Sequence, residues 1–513
     1  MRGSSALVKL LGLFAALALI ATACGSDATD IVEDAADAAG DAVEDAADAA
    51  EDVVEDAADA AEDAMDGDDE GEEATEDAGD DAMDFSGTEL TVAIVDNGAT
   101  DNIQLLTPEF FTADTGITVN FVTLEEQTLR EQVTLAAGTG GGQYDVVMIG
   151  PYEAPQFGQN QWLVDLTDYA ANDADYNVDD LMPAIRGALS LDGGMYAVPF
   201  YAESSFIMYN QEILDAAGQT MPEAPTWDEV AEIARAVDTD DVAGICLRGL
   251  PGWGDLGASL TTVVNTFGGT WWEAADGGAT IGEAQINGAD SGFRAAFEFY
   301  VDLLNDAGQP DAASSSFPQC LQLMQDEQVA MWYDATVAAG ILEGADSPVA
   351  GKLGYALAPT VETDASGWLW TWALAMPANT DNADAAWEFM SWATSQEFIQ
   401  LAGTELDGGW AAIPPGSRLS TYEIPEYQEA AASFAARTLA AMEAAPIDNP
   451  GTTARPGLPG VQYVNVPQFQ DVGTRCTEEF SAAIAGNQSV DDALDACQAI
   501  ASEVVGESAY PAG

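Results

Sequence analysis

The chain has 513 residues, 48% of them hydrophobic, enough to bury a large core shared by two lobes with appendages. Its formal net charge is −77 and it contains no histidine. Such a surface repels nucleic acid and anionic membranes, and the missing imidazole excludes His-dependent triads, HExxH zinc sites and the ordinary general base of neutral pH.

The N-terminus reads as a processing signal, residues 1–23. Arg2 and Lys9 form a basic start, and Leu10 to Ile20 an apolar core too short to span a bilayer. Ala21-Thr22-Ala23-Cys24-Gly25 then resembles a bacterial lipobox, in which Cys24 becomes the acylated N-terminus. That places the mature chain outside the cell, anchored to the outer face of the membrane. An ordinary cleaved signal would instead leave Cys24 a free thiol.

Residues 24–86 are an acidic spacer. EDAADAA recurs at Glu33, Glu44 and Glu55, and residues 27–84 hold 27 acidic and no basic side chains. Like charges at i,i+4 oppose a lone helix, so this stretch reads as a self-repelling tether, helical or disordered. Asp66-Gly67-Asp68-Asp69-Glu70-Gly71 half-resembles a calcium loop, but Glu70, Glu73 and Asp77 stand where that motif wants other residue types, and no metal is expected. From Phe85 onward the body has 62 acidic against 10 basic residues, or −52, a charge suited to high ionic strength.

From Glu89 the text alternates. Leu90–Val95 is a buried strand, Leu105–Ala113 a helix, Ile117–Leu124 a strand, Glu125, Glu126 and Arg130 open a helix, and Tyr144–Ile149 is a strand. This order predicts a parallel α/β sheet whose loops at strand C-termini carry a binding edge, with Asp96, Asn97, Glu125, Tyr152 and Glu153 on it. Glu125 and Glu126 read equally well as acids favoured at a helix start. The stretch MYAVPFYAESSFIMYN, Met195–Asn210, reads as the first crossover between lobes: Pro199 is poor grammar for an interior strand, and Glu203 is a lone carboxylate between apolar runs that needs a partner.

Further on, Thr226 caps a helix, and Gly244–Gly249 is a strand leading to Trp253, which its flanking glycines present as an exposed indole. Phe293–Asp306 is a periodic helix, Met331–Thr336 the second crossover, and Trp368, Trp370 and Trp372 share one strand face. Asp381–Ala402 is an amphipathic helix, followed by Trp410 on a rigid aromatic loop. Four cysteines remain in this exported chain. Cys476 and Cys497 bracket a helical hairpin and form the first candidate bridge, Cys246 and Cys320 the second; buried free thiols are the alternative.

Nine strings in order, among them GGQYDVVMIGPYE, MYAVPFYAESSFIMYN, GICLRGLPGWG, NTFGGTWW, AMWYDATVAAG and GWLWTWALAMP, resemble family 1 extracellular solute-binding proteins of ATP-driven importers, and the sorbitol/mannitol branch in particular. The resemblance covers residues 87–505. It implies a class II periplasmic-binding-protein fold of two discontinuous α/β lobes, with lobe 1 from 87–200 and 331–378 and lobe 2 from 201–330 and 379–513. It implies no enzyme and no cofactor, a polyol or small sugar as ligand, permease subunits as partners, and a monomer. It places Asn97, Glu125, Tyr152, Glu203, Arg248, Trp253, Asp334, Trp370 and Trp410 at the cleft. Carboxylates there would accept from vicinal hydroxyls, Arg248 would donate, and Trp253, Trp370 and Trp410 would cover C–H faces. A mono- or disaccharide is the alternative ligand, a carboxylate-dependent glycoside hydrolase a remote alternative activity, and an acidic surface protein working through its repeat a third reading.

Overall fold

The structure is a computed structural model; it describes residues 85–278, 280–452 and 460–506. The signal segment, Cys24, the acidic repeat and its calcium-loop likeness lie outside the described residues.

Two sheets organise the body. The larger has five strands in the order Thr118–Leu124, Glu89–Val95, Val146–Ile149, Trp370–Ala375, Val198–Glu203. Its first three strands run parallel, as the strand–helix alternation requires, and the last two join antiparallel. The smaller sheet places Ser205–Asn210 between Met331–Ala335 and Leu353–Leu357, all antiparallel. The chain therefore passes from one sheet to the other at Ser204, directly after Glu203. Pro199 sits on an edge strand of the larger sheet, where a missing N–H costs no interior bond.

Two expectations about chain tracing are corrected. Met331–Ala335 does not return to the first lobe: it pairs with Ser205–Asn210, because the apolar run MWYDA matches the neighbouring SFIMYN in register. The return is made by Trp370–Ala375, which pairs with Val198–Glu203. Residues after 379 likewise do not all belong with the smaller sheet. Ala383–Ala393 packs against Val198–Glu203, and Gln396–Glu405 against Asp101–Leu106. The helix expected over Asp381–Ala402 is two helices, broken where Ser395 caps the second by accepting from the Phe398 amide.

Local grammar explains most other elements. Thr226 and Glu229 form a capping box at the head of Trp227–Val237. The helix predicted at Leu105–Ala113 begins at Asp101 and widens into a π-helical turn over Thr107–Thr112. Gly244–Gly249 forms only isolated bridges, at Ile245 and Cys246. Both candidate disulfides are present: Cys246–Cys320 ties the strip before Arg248 to the helix Phe317–Gln325, and Cys476–Cys497 staples the hairpin of Phe469–Ile484 and Val490–Ser502. Among the described residues no helix is long and apolar enough to cross a membrane.

Candidate functional site

The ends of both sheets converge on a cavity lined by residues of both, a concave site of the kind that holds small ligands. The larger sheet supplies the C-terminal ends of its first two strands, Val95–Asn97 and Glu125, together with Glu203, Trp370 and Trp372. The smaller-sheet lobe supplies Arg248, Trp253 to Asp255, Ser316 to Pro318 and Ala335. The two lobes touch beside it. The Tyr152 hydroxyl donates to the Val466 carbonyl at 3.0 Å and accepts from the Gln470 amide at 3.0 Å, and the Gln127 amide donates to Thr474 at 3.4 Å.

One wall is built on Arg248. Its guanidinium grips Asp334 with two parallel bonds, Nε to Oδ2 at 2.8 Å and Nη2 to Oδ1 at 2.6 Å, and donates to the Gly254 carbonyl at 3.0 Å. Asp255 stands 3.8 Å from the same guanidinium. Burial alone would lower the Arg248 pKa, but Asp334 and then Asp255 raise it, so the cation is permanent.

The opposite wall is built on Arg130. Its Nη1 donates to Glu153 at 2.5 Å and its Nη2 to Glu126 at 2.7 Å. Three indoles box it in, with the guanidinium carbon 4.2 Å from the Trp253 ring centroid, 4.7 Å from Trp372 and 4.8 Å from Trp370. Two glycines make room. A Cβ on Gly150 would lie 2.1 Å from the Trp370 ring, and one on Gly254 would lie 2.1 Å from Glu126.

Between these walls several buried polar atoms have no partner in the protein: Glu203 Oε2, Asp255 Oδ2, the Trp253 indole N–H and Gln462 Oε1. Orphaned groups of this kind are rare inside proteins, because each forfeits its hydration. Burial pushes the Glu203 carboxyl well above its ordinary pKa; Arg248 opposes this, while Asp334 and Glu126 add to it. Asp255 is pushed up in the same way, first by burial, then by Glu126, against the pull of Arg248. The set can accept and donate several hydrogen bonds from neutral hydroxyls without burying a new charge.

Of the expected site residues, Asn97, Glu125, Glu203, Arg248, Trp253 and Trp370 line this cavity. Two of them also hold local structure. Asn97 accepts from the Ala99 and Thr100 amides and donates to the Tyr201 hydroxyl, and exposed Glu125 caps its helix by accepting from the Gln127 and Thr128 amides. Four expectations are corrected. Asp334 is fully buried behind Arg248, which takes its carboxylate, so it positions that arginine and does not face the cavity. Tyr152 lies under the Trp253 ring with its hydroxyl spent on the other lobe. Trp410 packs over Gly403, where the glycine leaves space for its ring. Trp253, expected to be an exposed indole, has 0% exposure.

Sequence reasoning passed over Arg130, Glu126, Asp255 and Gln462 as cavity residues. The Glu126–Arg130 spacing of four was a visible signal, but it reads as an ordinary helix pair; nothing local singles out Asp255 or Gln462. Among the described residues there is no cluster of metal-ligating side chains.

Comparison with known proteins agrees with this geometry. The profile of bacterial extracellular solute-binding proteins matches residues 96–398. A mannitol-binding protein of Pseudomonas aeruginosa is 38% identical over 426 residues, 82% of this chain and 94% of the relative. The crystal structure of a solute-binding protein from Agrobacterium vitis with bound D-mannitol superposes with a TM-score of 0.77 at 42% identity, covering 81% of this chain and 98% of that one. A maltose-bound MalE3 of T. maritima shares the fold at a TM-score of 0.68 and 19% identity, over 82% of this chain and all of that one.

Proposed function

Because the chain belongs to the bacterial extracellular solute-binding proteins, whose members bind and do not catalyse, we propose that it captures a linear polyol of the hexitol kind for an ATP-driven importer. The observation that carries the ligand class is the set of unpartnered polar atoms on the cavity wall: Glu203 Oε2, Asp255 Oδ2, the Trp253 N–H and Gln462 Oε1. A chain of vicinal hydroxyls satisfies such a mixed set of donors and acceptors, whereas an anion would meet two buried acids and an apolar ligand would leave every one of them orphaned. The mannitol named for the Pseudomonas relative and held by the Agrobacterium structure supports the same class.

The mechanism follows from the fold. Residues of both lobes make the cavity, so a polyol held by Glu203 on one side and Asp255 on the other is bound fully only when the lobes meet, and binding shifts the population toward closure. The closed pair of lobes is the form handed to the membrane permease, and an acylated Cys24 with its acidic spacer keeps the body near that permease. The glycosidase reading has no support in the family.

A thermal-shift screen of the chain without residues 1–23, against sorbitol, mannitol, arabitol, xylitol, glucose and maltose, tests this. A clear rise in Tm with a hexitol is expected, and Glu203→Ala should weaken that ligand by about 2 kcal/mol, roughly 30-fold. A shift with maltose alone would discard the polyol; silence across the panel would discard the importer ligand class.

A further inference from the structure

We propose that Arg130 is a specificity-determining residue of the cavity: by filling the box formed by Trp253, Trp370 and Trp372 it removes the aromatic platform a sugar ring needs and so confines the site to acyclic polyols. The inference rests on the polyol reading above and narrows it.

A pyranose presents one flat C–H face and binds best where an aromatic face lies open to it. Three tryptophans at one cavity corner look like such a platform. Here their faces meet a guanidinium instead, at 4.2, 4.7 and 4.8 Å from the ring centroids. Little ring surface remains: exposure is 0% for Trp253 and 4% for both Trp370 and Trp372. The rings also stand edge to face, Trp370 to Trp372 at 79° and Trp253 to Trp370 at 71°, so together they enclose one planar cation and offer no common plane to a second guest.

Arg130 is fixed in that box. Glu126 takes its Nε and Nη2, and Glu153 takes its Nη1; Glu153 in turn accepts from the Gly150 amide at 3.0 Å. A guanidinium has five N–H bonds; these contacts use three of them, and Arg130 lines the cavity with two left over. The corner that would stack a ring has become one that offers hydrogen bonds. An open polyol, whose hydroxyls can rotate to meet Arg130 donors, the Trp253 N–H and the Glu203 and Asp255 oxygens, uses all of them. A rigid ring cannot reach them together.

The test compares D-mannitol with 1,5-anhydro-D-mannitol and D-glucose by titration calorimetry on the unmodified mature protein, and then on Arg130→Lys and Arg130→Met. The unmodified protein should prefer mannitol over both rings by at least about 100-fold. Arg130→Lys keeps the buried charge that Glu126 and Glu153 require but cannot cover three ring faces, and the preference should narrow by about tenfold; Arg130→Met, if folded, should narrow it further. Equal binding of mannitol and its anhydro ring by the unmodified protein would overturn the proposal, as would a folded Arg130→Lys with the preference unchanged. Absence of binding to all three would instead overturn the polyol reading itself.

Discussion

Breaking the Arg248–Asp334 pair from one side should cost far more than dissolving it altogether. The pair is sealed, with the Asp334 side chain at 0% exposure and Arg248 at 7%. Asp334→Leu strands the guanidinium with the Gly254 carbonyl and with Asp255 at 3.8 Å, and it orphans the Trp332 indole N–H and the Ala335 amide that Asp334 now satisfies. A buried charge deprived of its partner costs about 3–5 kcal/mol, so about 4 kcal/mol is expected. Arg248→Met leaves the Asp334 carboxylate with those two neutral donors, and about 3 kcal/mol is expected. The double variant removes both charges of the pair, leaving Asp255 to lose only its 3.8 Å contact with the guanidinium, and should lose no more than about 3 kcal/mol, falling about 4 kcal/mol short of the sum of the singles. Urea unfolding followed by tryptophan fluorescence, with matched m values, measures the cycle. Single costs that add to the double within about 0.5 kcal/mol would show that the pair is not the unit described here.

Two further outcomes are expected. Glu203 binds its proton more tightly folded than unfolded, so both forms are protonated below about pH 4.5 and its presence then costs nothing, while stability falls as pH rises from there through the raised folded-state pKa. Glu203→Gln should therefore raise the ligand-free Tm by an amount that grows between pH 4 and pH 8; parallel Tm profiles would refute the shift. Gly150→Ala should displace the Trp370 ring, whose atoms would stand 2.1 and 2.4 Å from the new Cβ. A loss of about 1–3 kcal/mol in stability is expected, accompanied by at least tenfold weaker hexitol binding; an unchanged affinity would show that the tryptophan box plays no part in the site.

Much of this molecule was legible along the chain. Short apolar runs alternating with helical stretches marked the parallel start of the larger sheet and the long helices, since a parallel strand is buried on both faces and a helix must turn one apolar face to a core. Glu203 stood out because a carboxylate between two apolar strands has no local reason to be there, and the nine ordered strings pointed to the family. The cysteine pairs agreed with their places on a hairpin and beside a short strip.

What failed depended on distance in space. Asp334 looked like a ligand acceptor and is a buried counter-ion, because its nearest cation, Arg248, lies 86 residues away in sequence. Met331–Ala335 looked like a crossover and is an edge strand, because strand pairing is settled by which neighbours are left unpaired. Arg130 looked like half of a helix pair, and only the fold brings three indoles from residues 253, 370 and 372 around it. Sequence by itself determined the secondary elements, the crossing at Glu203 and the class of protein, since these depend on local propensity and on which residues must be buried. The tertiary structure decided which charges pair and which polar atoms are left for a ligand, because both are properties of groups that meet only after the chain has folded.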